Sequence, residues 1–169
     1  EFVLSRELAE LCAMLYNKNW ETSFNGNVLR LVGAVSEKRI AHIREERRRK
    51  RGLSTLPPDE ETITVADDAA GTFGFHRTMM HAPGLDITTT DASPNMITEG
   101  RGRAVLSDRY RLDRTHVCTL DRATCYHNAS VDLRVTSLAL DCLSHRASPP
   151  RRGHEMIRAF LESHRILKK

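Results

Sequence analysis

The densest apolar stretch of the chain is residues 24–35, FNGNVLRLVGAV, followed at once by its most basic stretch. Asn25, Gly26 and Asn27 open the apolar stretch, Val28, Leu29, Leu31, Val32 and Val35 fill it, and Gly33 interrupts it. Read as a run occupying both faces, residues 25–35 predict a central β-strand bent at Gly33. Ahead of it, Leu8, Leu11, Cys12 and Leu15 recur at helical spacing behind Ser5, with Arg6, Glu7, Glu10 and Lys18 off the stripe. That pattern predicts an N-terminal amphipathic helix capped by Ser5. Trp20, the sole tryptophan, carries enough apolar area to favour a packing role over a base-stacking one.

Beyond the basic stretch, Gly52 to Asp59 reads as a linker, because Pro57 and Pro58 remove two backbone donors. Alternation then predicts strands over 61–66, 72–79 and 85–89, with turns at Gly71 and at Ala82-Pro83-Gly84. The polar residues 90–103 predict a long exposed loop. Short strands are expected at 104–112 and 115–120. Residues 131–140 carry Val131, Leu133 and Val135 against Asp132, Arg134 and Thr136, the pattern of a half-buried antiparallel strand. After a break at 149–153, a helix over 154–167 stacks Met156, Ile157, Phe160, Leu161 and Leu167 on one side. The expected fold class is therefore α+β, a small antiparallel β-barrel or sheet flanked by N-terminal and C-terminal amphipathic helices. At 169 residues a single domain is expected, with a basic arm at 44–52 and the loop at 90–103.

Charge gives a mild tilt. Twenty-six Lys and Arg stand against 22 Asp and Glu, a net charge of +4, and arginine greatly outnumbers lysine. Guanidinium forks suit phosphate oxygens better than ammonium groups do. Residues 44–51 hold six basic residues, two glutamates and no apolar side chain, so they must be solvated or bound to something acidic. The candidate nucleic-acid contacts are accordingly Arg44, Arg47, Arg48, Arg49, Lys50 and Arg51, then Arg101, Arg103, Arg109 and Arg111. A solvated charged face is the competing reading of both groups.

The four cysteines, Cys12, Cys118, Cys125 and Cys142, have no repeated spacing, which points to a reducing, intracellular compartment. No apolar run reaches the roughly 18 to 20 residues of a membrane-spanning helix. The opening at Glu1-Phe2 is what a processing site or a cleaved organelle-targeting peptide would leave, so a mitochondrial location is among the expectations. His116, Cys118, Cys125, His127, Cys142 and His145 are zinc-type ligands, but they lack the tight knuckle spacing of structural zinc sites, and no metal or other cofactor is expected. His76 and His81 would face opposite sides of a strand. Asp67-Asp68 reads as a turn before Gly71, and no nucleophile elbow, phosphate-binding loop ending in Lys-Ser/Thr or His-Glu-x-x-His motif occurs. Asn128-Ala129-Ser130 matches a glycosylation acceptor, a pattern frequent by chance.

Two short stretches resemble known families. Asn27 to Val35, an Asn before an alternating apolar strand ending Val32-Gly33-Ala34-Val35, resembles the first strand of the oligonucleotide-binding (OB) fold of single-strand-binding proteins and mitochondrial RNA-editing complexes. That resemblance implies a small barrel in which the long first strand bends at Gly33. Glu7 to Tyr16 followed by Trp20 to Asn27 resembles the opening of the class II aldolase and epimerase family, which implies a phosphate site at Asn25, Gly26 and Asn27 and a zinc-dependent sugar-phosphate activity. The His-x-His pair of that family does not occur in the following hundred residues.

The expected function is a non-catalytic, RNA- or single-strand-binding subunit of a ribonucleoprotein such as a mitochondrial ribosome or RNA-processing complex. Phosphates would be held by the arginine-rich segments, and other protein subunits would be partners. The alternatives are the aldolase-type zinc enzyme and an assembly subunit that makes no nucleic-acid contact.

Overall fold

The structure is a computed structural model that describes residues 24–71, 73–79, 82–104, 112–136 and 149–168. The expected helix at 5–18 and Trp20 lie outside these residues. In chain order the elements are α1 (Phe24–Arg51), α2 (Pro58–Glu61), β1 (Ile63–Asp68), α3 (Gly74–Met79), β2 (Leu85–Asp91), α4 (Pro94–Ala104), a 3-10 turn (Leu112–Arg114), β3 (Thr115–Val117), β4 (Leu133–Thr136) and α5 (Pro149–Ile166). The strands form one sheet in the order β3-β2-β1-β4, and every pairing is parallel. Val65 lies opposite both Ile87 and Leu133, so β1 is the central strand.

This overturns the antiparallel barrel. A parallel pair cannot be closed by a hairpin and needs a crossover, and the helices α3 and α4 are those crossovers. They occupy the segments read as a strand at 72–79 and a loop at 90–103. The start of α4 was signalled by Ser93-Pro94, a capping residue before a proline in the first helical turn. Ser93 Oγ accepts from the Met96 N–H at 3.4 Å.

The principal correction concerns residues 25–35, which belong to α1 and not to a strand. Leu29, Gly33, Ser36, Ile40 and Ile43 are buried, at alternating steps of four and three, while Leu31 and Val35 face outward. The helical stripe runs through a glycine and a serine, so counting apolar residues alone hides it. Gly33 lets α1 approach α3: a Cβ there would lie 2.9 Å from Thr78 Cγ2. The arginine-rich residues 44–51 are the last turns of the same helix, where cations suit the negative end of the helix dipole. Gly52, at φ +66°, closes it, with the Leu53 N–H donating to the Arg48 carbonyl at 3.1 Å.

Both faces of the sheet are covered, as a parallel sheet requires. On one, Leu29, Ile40, Ile43, Phe75 and Met79 pack against Ile63, Val65, Ile87 and Val135. On the other, Ala66 packs with Ala123, Tyr126, Val131 and Ile166. The C-terminal helix begins at Pro149, earlier than expected, and buries Ala159 and Ile166, whereas Ile157, Phe160 and Leu161 of its expected apolar face are exposed. No helix among the described residues is long and apolar enough to cross a membrane.

Candidate functional site

The chain steps outward from β1 to β2 to β3 and then returns to place β4 on the other side of β1. In open parallel sheets, ligands bind beyond the carboxyl ends of the strands at such a reversal. What stands there is acidic. Asp67 and Asp68 end β1 and Asp91 ends β2, and both residues of the pair on β1 are buried, which replaces the turn expected for them.

Asp68 is fully engaged. Its Oδ1 accepts from Thr90 Oγ1 at 2.7 Å and from the Tyr126 hydroxyl at 2.8 Å, and its Oδ2 accepts from Arg134 Nε at 2.6 Å. Burial and the charge on Asp68 push the Tyr126 phenol well above its ordinary value, so it stays a proton donor. Arg134 also donates to the carbonyls of Leu120 and Ala159, which ties β4 to the loop after β3 and to α5.

Asp67 is different. It is fully buried, and both carboxyl oxygens lack a hydrogen-bond partner among the described residues. Burial, then the neighbouring charge of Asp68, with a further contribution from Asp91, hold its carboxyl well above the usual carboxylate range. The His76 backbone N–H favours the ionised form and approaches without reaching hydrogen-bond geometry. A buried, unpartnered carboxyl group is costly, and such groups concentrate at functional sites.

The loop leaving β1 runs Ala69-Ala70-Gly71-Thr72-Phe73-Gly74, and Ala69, Gly71 and Phe73 have φ of 54°, 56° and 66°. Left-handed backbone costs a side-chain-bearing residue on the order of 1–2 kcal/mol, so Ala69 and Phe73 hold the loop in a shape that suits glycine. Spacing 69, 71, 74 is that of the glycine fingerprint G-x-G-x-x-G, with alanine in its first position. Asp91, twenty residues beyond Gly71, stands where that fingerprint places the acid for a ribose hydroxyl. Its Oδ2 accepts from the Gly71 N–H at 2.9 Å and its Oδ1 from the Ser93 N–H at 2.8 Å, clamping the loop to the start of α4. Phe73 is buried against Ile97 and Ala70. Behind the loop, His76 Nδ1 lies 2.9 Å from Thr89 Oγ1, and burial lowers the imidazole to about 4, so it is neutral near pH 7.

These residues fit a nucleoside-type cofactor: a left-handed turn for close backbone approach, an acid at the end of the neighbouring strand and an unpaired carboxyl at the turn's entry. Residue counting over an assumed β1–turn boundary missed them. The available signal was the fingerprint spacing with alanine admitted at its first position.

The described arginines chosen from sequence lie elsewhere, and five of them are engaged. Arg44 donates to the carbonyls of Glu61, Pro83 and Gly84. Arg47 donates to the carbonyls of Glu60 and Thr62 and pairs with Asp132, Arg48 pairs with Glu45, and Arg51 with Glu60. Arg49 and Lys50 are exposed on α1. Arg101 holds Thr115 of β3 through its hydroxyl and carbonyl, Arg103 belongs to α4, and Arg109 and Arg111 lie outside the described residues. The arm is thus largely a clamp on the N-terminal edge of the sheet.

Of the zinc-type ligands, Cys118 and Cys125 meet, while His116 and His127 are exposed and Cys142 and His145 lie outside the described residues. No group of three potential metal ligands occurs among the described residues. Cys125 lowers the Cys118 thiol and is itself raised, and Cys118 Sγ lies 3.4 Å from the Arg122 carbonyl, to which it can donate. Asn25, Gly26 and Asn27 fall in the first turn of α1, not in a phosphate-binding turn, so the aldolase resemblance fails.

No family model matches the chain, and no curated protein matches it. Among solved structures it is similar to an S-adenosylmethionine-dependent methyltransferase from Aquifex aeolicus (13% identity, TM-score 0.45, covering 63% of this chain and 51% of that one). It is similar also to a putative S-adenosyl-L-methionine-dependent methyltransferase from Methanococcus maripaludis (16%, TM-score 0.49, 88% and 61%). A third is the putative methyltransferase solved with the Trm112 methyltransferase activator of Haloferax volcanii (20%, TM-score 0.44, 83% and 55%). The chain spans between half and two thirds of the length of these proteins. The parallel sheet removes the oligonucleotide-binding resemblance. The reading as a non-catalytic RNA-binding subunit falls with it, because Arg44, Arg47, Arg48, Arg51 and Arg101, five of its expected contacts, are bonded within the fold.

Proposed function

We propose that this chain is the cofactor-binding part of a methyl-transfer enzyme that takes S-adenosylmethionine. The observation that carries the reading is the unpartnered, buried Asp67 at the entry to the left-handed turn, with Asp91 at the end of the next strand. Charge selects among nucleoside cofactors. Three carboxyl groups surround the turn, and Arg134 pairs with that of Asp68. A dinucleotide would bring the anionic pyrophosphate to this acidic turn. The sulfonium and ammonium of S-adenosylmethionine bring positive charge, which an acidic, poorly solvated site attracts.

In this reading Asp91 accepts from the ribose hydroxyls, and the 69–74 turn brings its backbone close to the nucleoside. Asp67 supplies the acceptor that a cation ionises. When bound, the cofactor supplies an electrophilic methyl group. Protein partners belong to the reading too, as in the Haloferax complex, and the exposed Ile157, Phe160 and Leu161 on α5 are an apolar stripe of the kind partners cover.

Isothermal titration of the purified chain with S-adenosylmethionine, S-adenosylhomocysteine, NAD and ATP tests this. Saturable binding of the first two, weakened at least tenfold in Asp91→Ala, is expected. Binding of NAD or ATP in preference to both sulfur nucleosides refutes it.

A further inference from the structure

At the opposite edge of the sheet, below the N-terminal ends of β1 and β4, lies an open cleft of about 400 Å³ lined by Arg47, Lys50, Arg51 and Lys168 and by the acidic Asp59 and Glu60. Three elements meet there: the end of α1, the short α2 and the segment after α5. None of these residues belongs to the acidic turn.

The cations divide by how much of their hydrogen-bonding capacity the fold consumes. Arg47 is spent on two carbonyls and Asp132. Arg51 commits only Nη2, to Glu60 at 2.7 Å, and Lys168 commits one contact, to Asp132 at 3.1 Å. Lys50 has no ion-pair or hydrogen-bond partner among the described residues. The cleft therefore keeps ammonium and guanidinium N–H groups for an anion, and a compact, multiply charged oxyanion uses them best.

The rest of the lining narrows the ligand. Among the described residues it contains no aromatic or aliphatic side chain, so a nucleobase would find only guanidinium planes to stack on, and that of Arg47 is already bonded to two carbonyls and Asp132. Asp59 and Glu60 are acceptors that a bare phosphate would be repelled by and that hydroxyl groups satisfy. The Thr64 hydroxyl, on the floor of the cleft, has no partner among the described residues. We infer that this cleft binds the phosphate ester of a small polyhydroxylated molecule, its phosphate on Lys50, Arg51 and Lys168 and its hydroxyls on Glu60 and Asp59. The volume lies within the range of small-molecule sites. Binding here is independent of the cofactor reading, since the two sites lie at opposite ends of the strands.

Titrations of the whole chain with glycerol 3-phosphate, inorganic phosphate and a six-nucleotide oligoribonucleotide test the inference, with Lys50→Ala and Glu60→Gln as variants. Lys50 is exposed and unpaired, so its removal leaves the fold intact. Glycerol 3-phosphate should bind several-fold more tightly than inorganic phosphate, and Lys50→Ala should weaken it about tenfold, the loss of one charge-assisted contact. Glu60→Gln should erase the advantage of the ester over phosphate. S-adenosylhomocysteine should not compete, and the ester's binding should persist even in a preparation that binds no S-adenosylhomocysteine. No binding of the ester, binding unchanged in Lys50→Ala, equal affinity for ester and phosphate, or binding of the oligonucleotide alone each overturns the inference.

Discussion

Arg134 Nε donates to Asp68 Oδ2 at 2.6 Å across the border between β4 and β1, with both side chains almost completely buried. One ion pair thus joins the two strands that flank the reversal of strand order. Removing one partner of a buried pair strands the other, at about 3–5 kcal/mol. Arg134→Met should destabilise the chain by that order in denaturant unfolding. The double variant with Asp68→Asn should recover a substantial part, because no charge is then left buried. Equal destabilisation in the single and double variants would show that Arg134 acts through its carbonyl contacts alone.

The turn after β1 makes a second prediction, one of opposite signs at neighbouring sites. Ala69 sits at φ 54°, so Ala69→Gly should stabilise the chain by up to about 1 kcal/mol by relieving left-handed strain. At Gly100 a Cβ would fall 2.7 Å from the Phe73 ring, and Gly100→Ala should cost about 1–3 kcal/mol through overpacking. Thermal unfolding of the two variants checks both.

Much of this could be read from the sequence, and the failures share a cause. β1, β2 and β4 were found near their places, because Ile63, Val65, Ile87 and Val135 are apolar and bounded by turn residues. Their direction could not be read: a parallel sheet is declared by its crossover helices, and α3 and α4 are short and carry Gly74, Gly100 and Gly102. Residues 25–35 were taken for a strand because Leu31 and Val35, which are exposed, counted as heavily as Leu29. The true stripe passes through Gly33 and Ser36, small residues whose burial is set by α3. The acidic site was missed for a related reason. Asp67 and Asp68 resemble turn residues in composition, and only the register of β1 with β2 and β4 puts them inside. Of the arginines read as phosphate contacts, Arg44, Arg47 and Arg101 bridge backbone carbonyls, and Arg48 and Arg51 pair with glutamates.

Two buried groups give the stability a pH signature. The folded protein holds the Asp67 proton to higher pH than the unfolded chain does, so from the usual carboxylate value upward unfolding releases a proton and stability falls as pH rises. His76 acts oppositely: at about 4 when folded against 6.5 ordinarily, it contributes stability above pH 6.5 that is lost as pH falls towards 4. The two groups act in opposite directions as pH rises from about 4 towards 6.5. Asp67→Asn should be more stable than the parent at pH 7.5 and lose the part of the decline with rising pH that Asp67 contributes. Unfolding free energies at a series of pH values measure this.

The thiols offer a fourth test. Because the neighbouring Cys125 lowers the Cys118 thiol, the pH at which Cys118 becomes alkylatable should lie below that of an ordinary cysteine and rise in Cys125→Ala. Rates of iodoacetamide modification, read by peptide mass spectrometry across pH, give that midpoint. An unchanged profile in Cys125→Ala would remove the influence of Cys125 on Cys118 from the account.

The central claim is that the acidic turn after β1 receives a sulfonium nucleoside, and hydrogen exchange with and without saturating S-adenosylmethionine tests it most directly. The account expects slowed exchange of amides in 67–76 and 89–97, with residues 44–62 unchanged. Unaltered exchange in 67–76, or protection confined to 44–62, would contradict it.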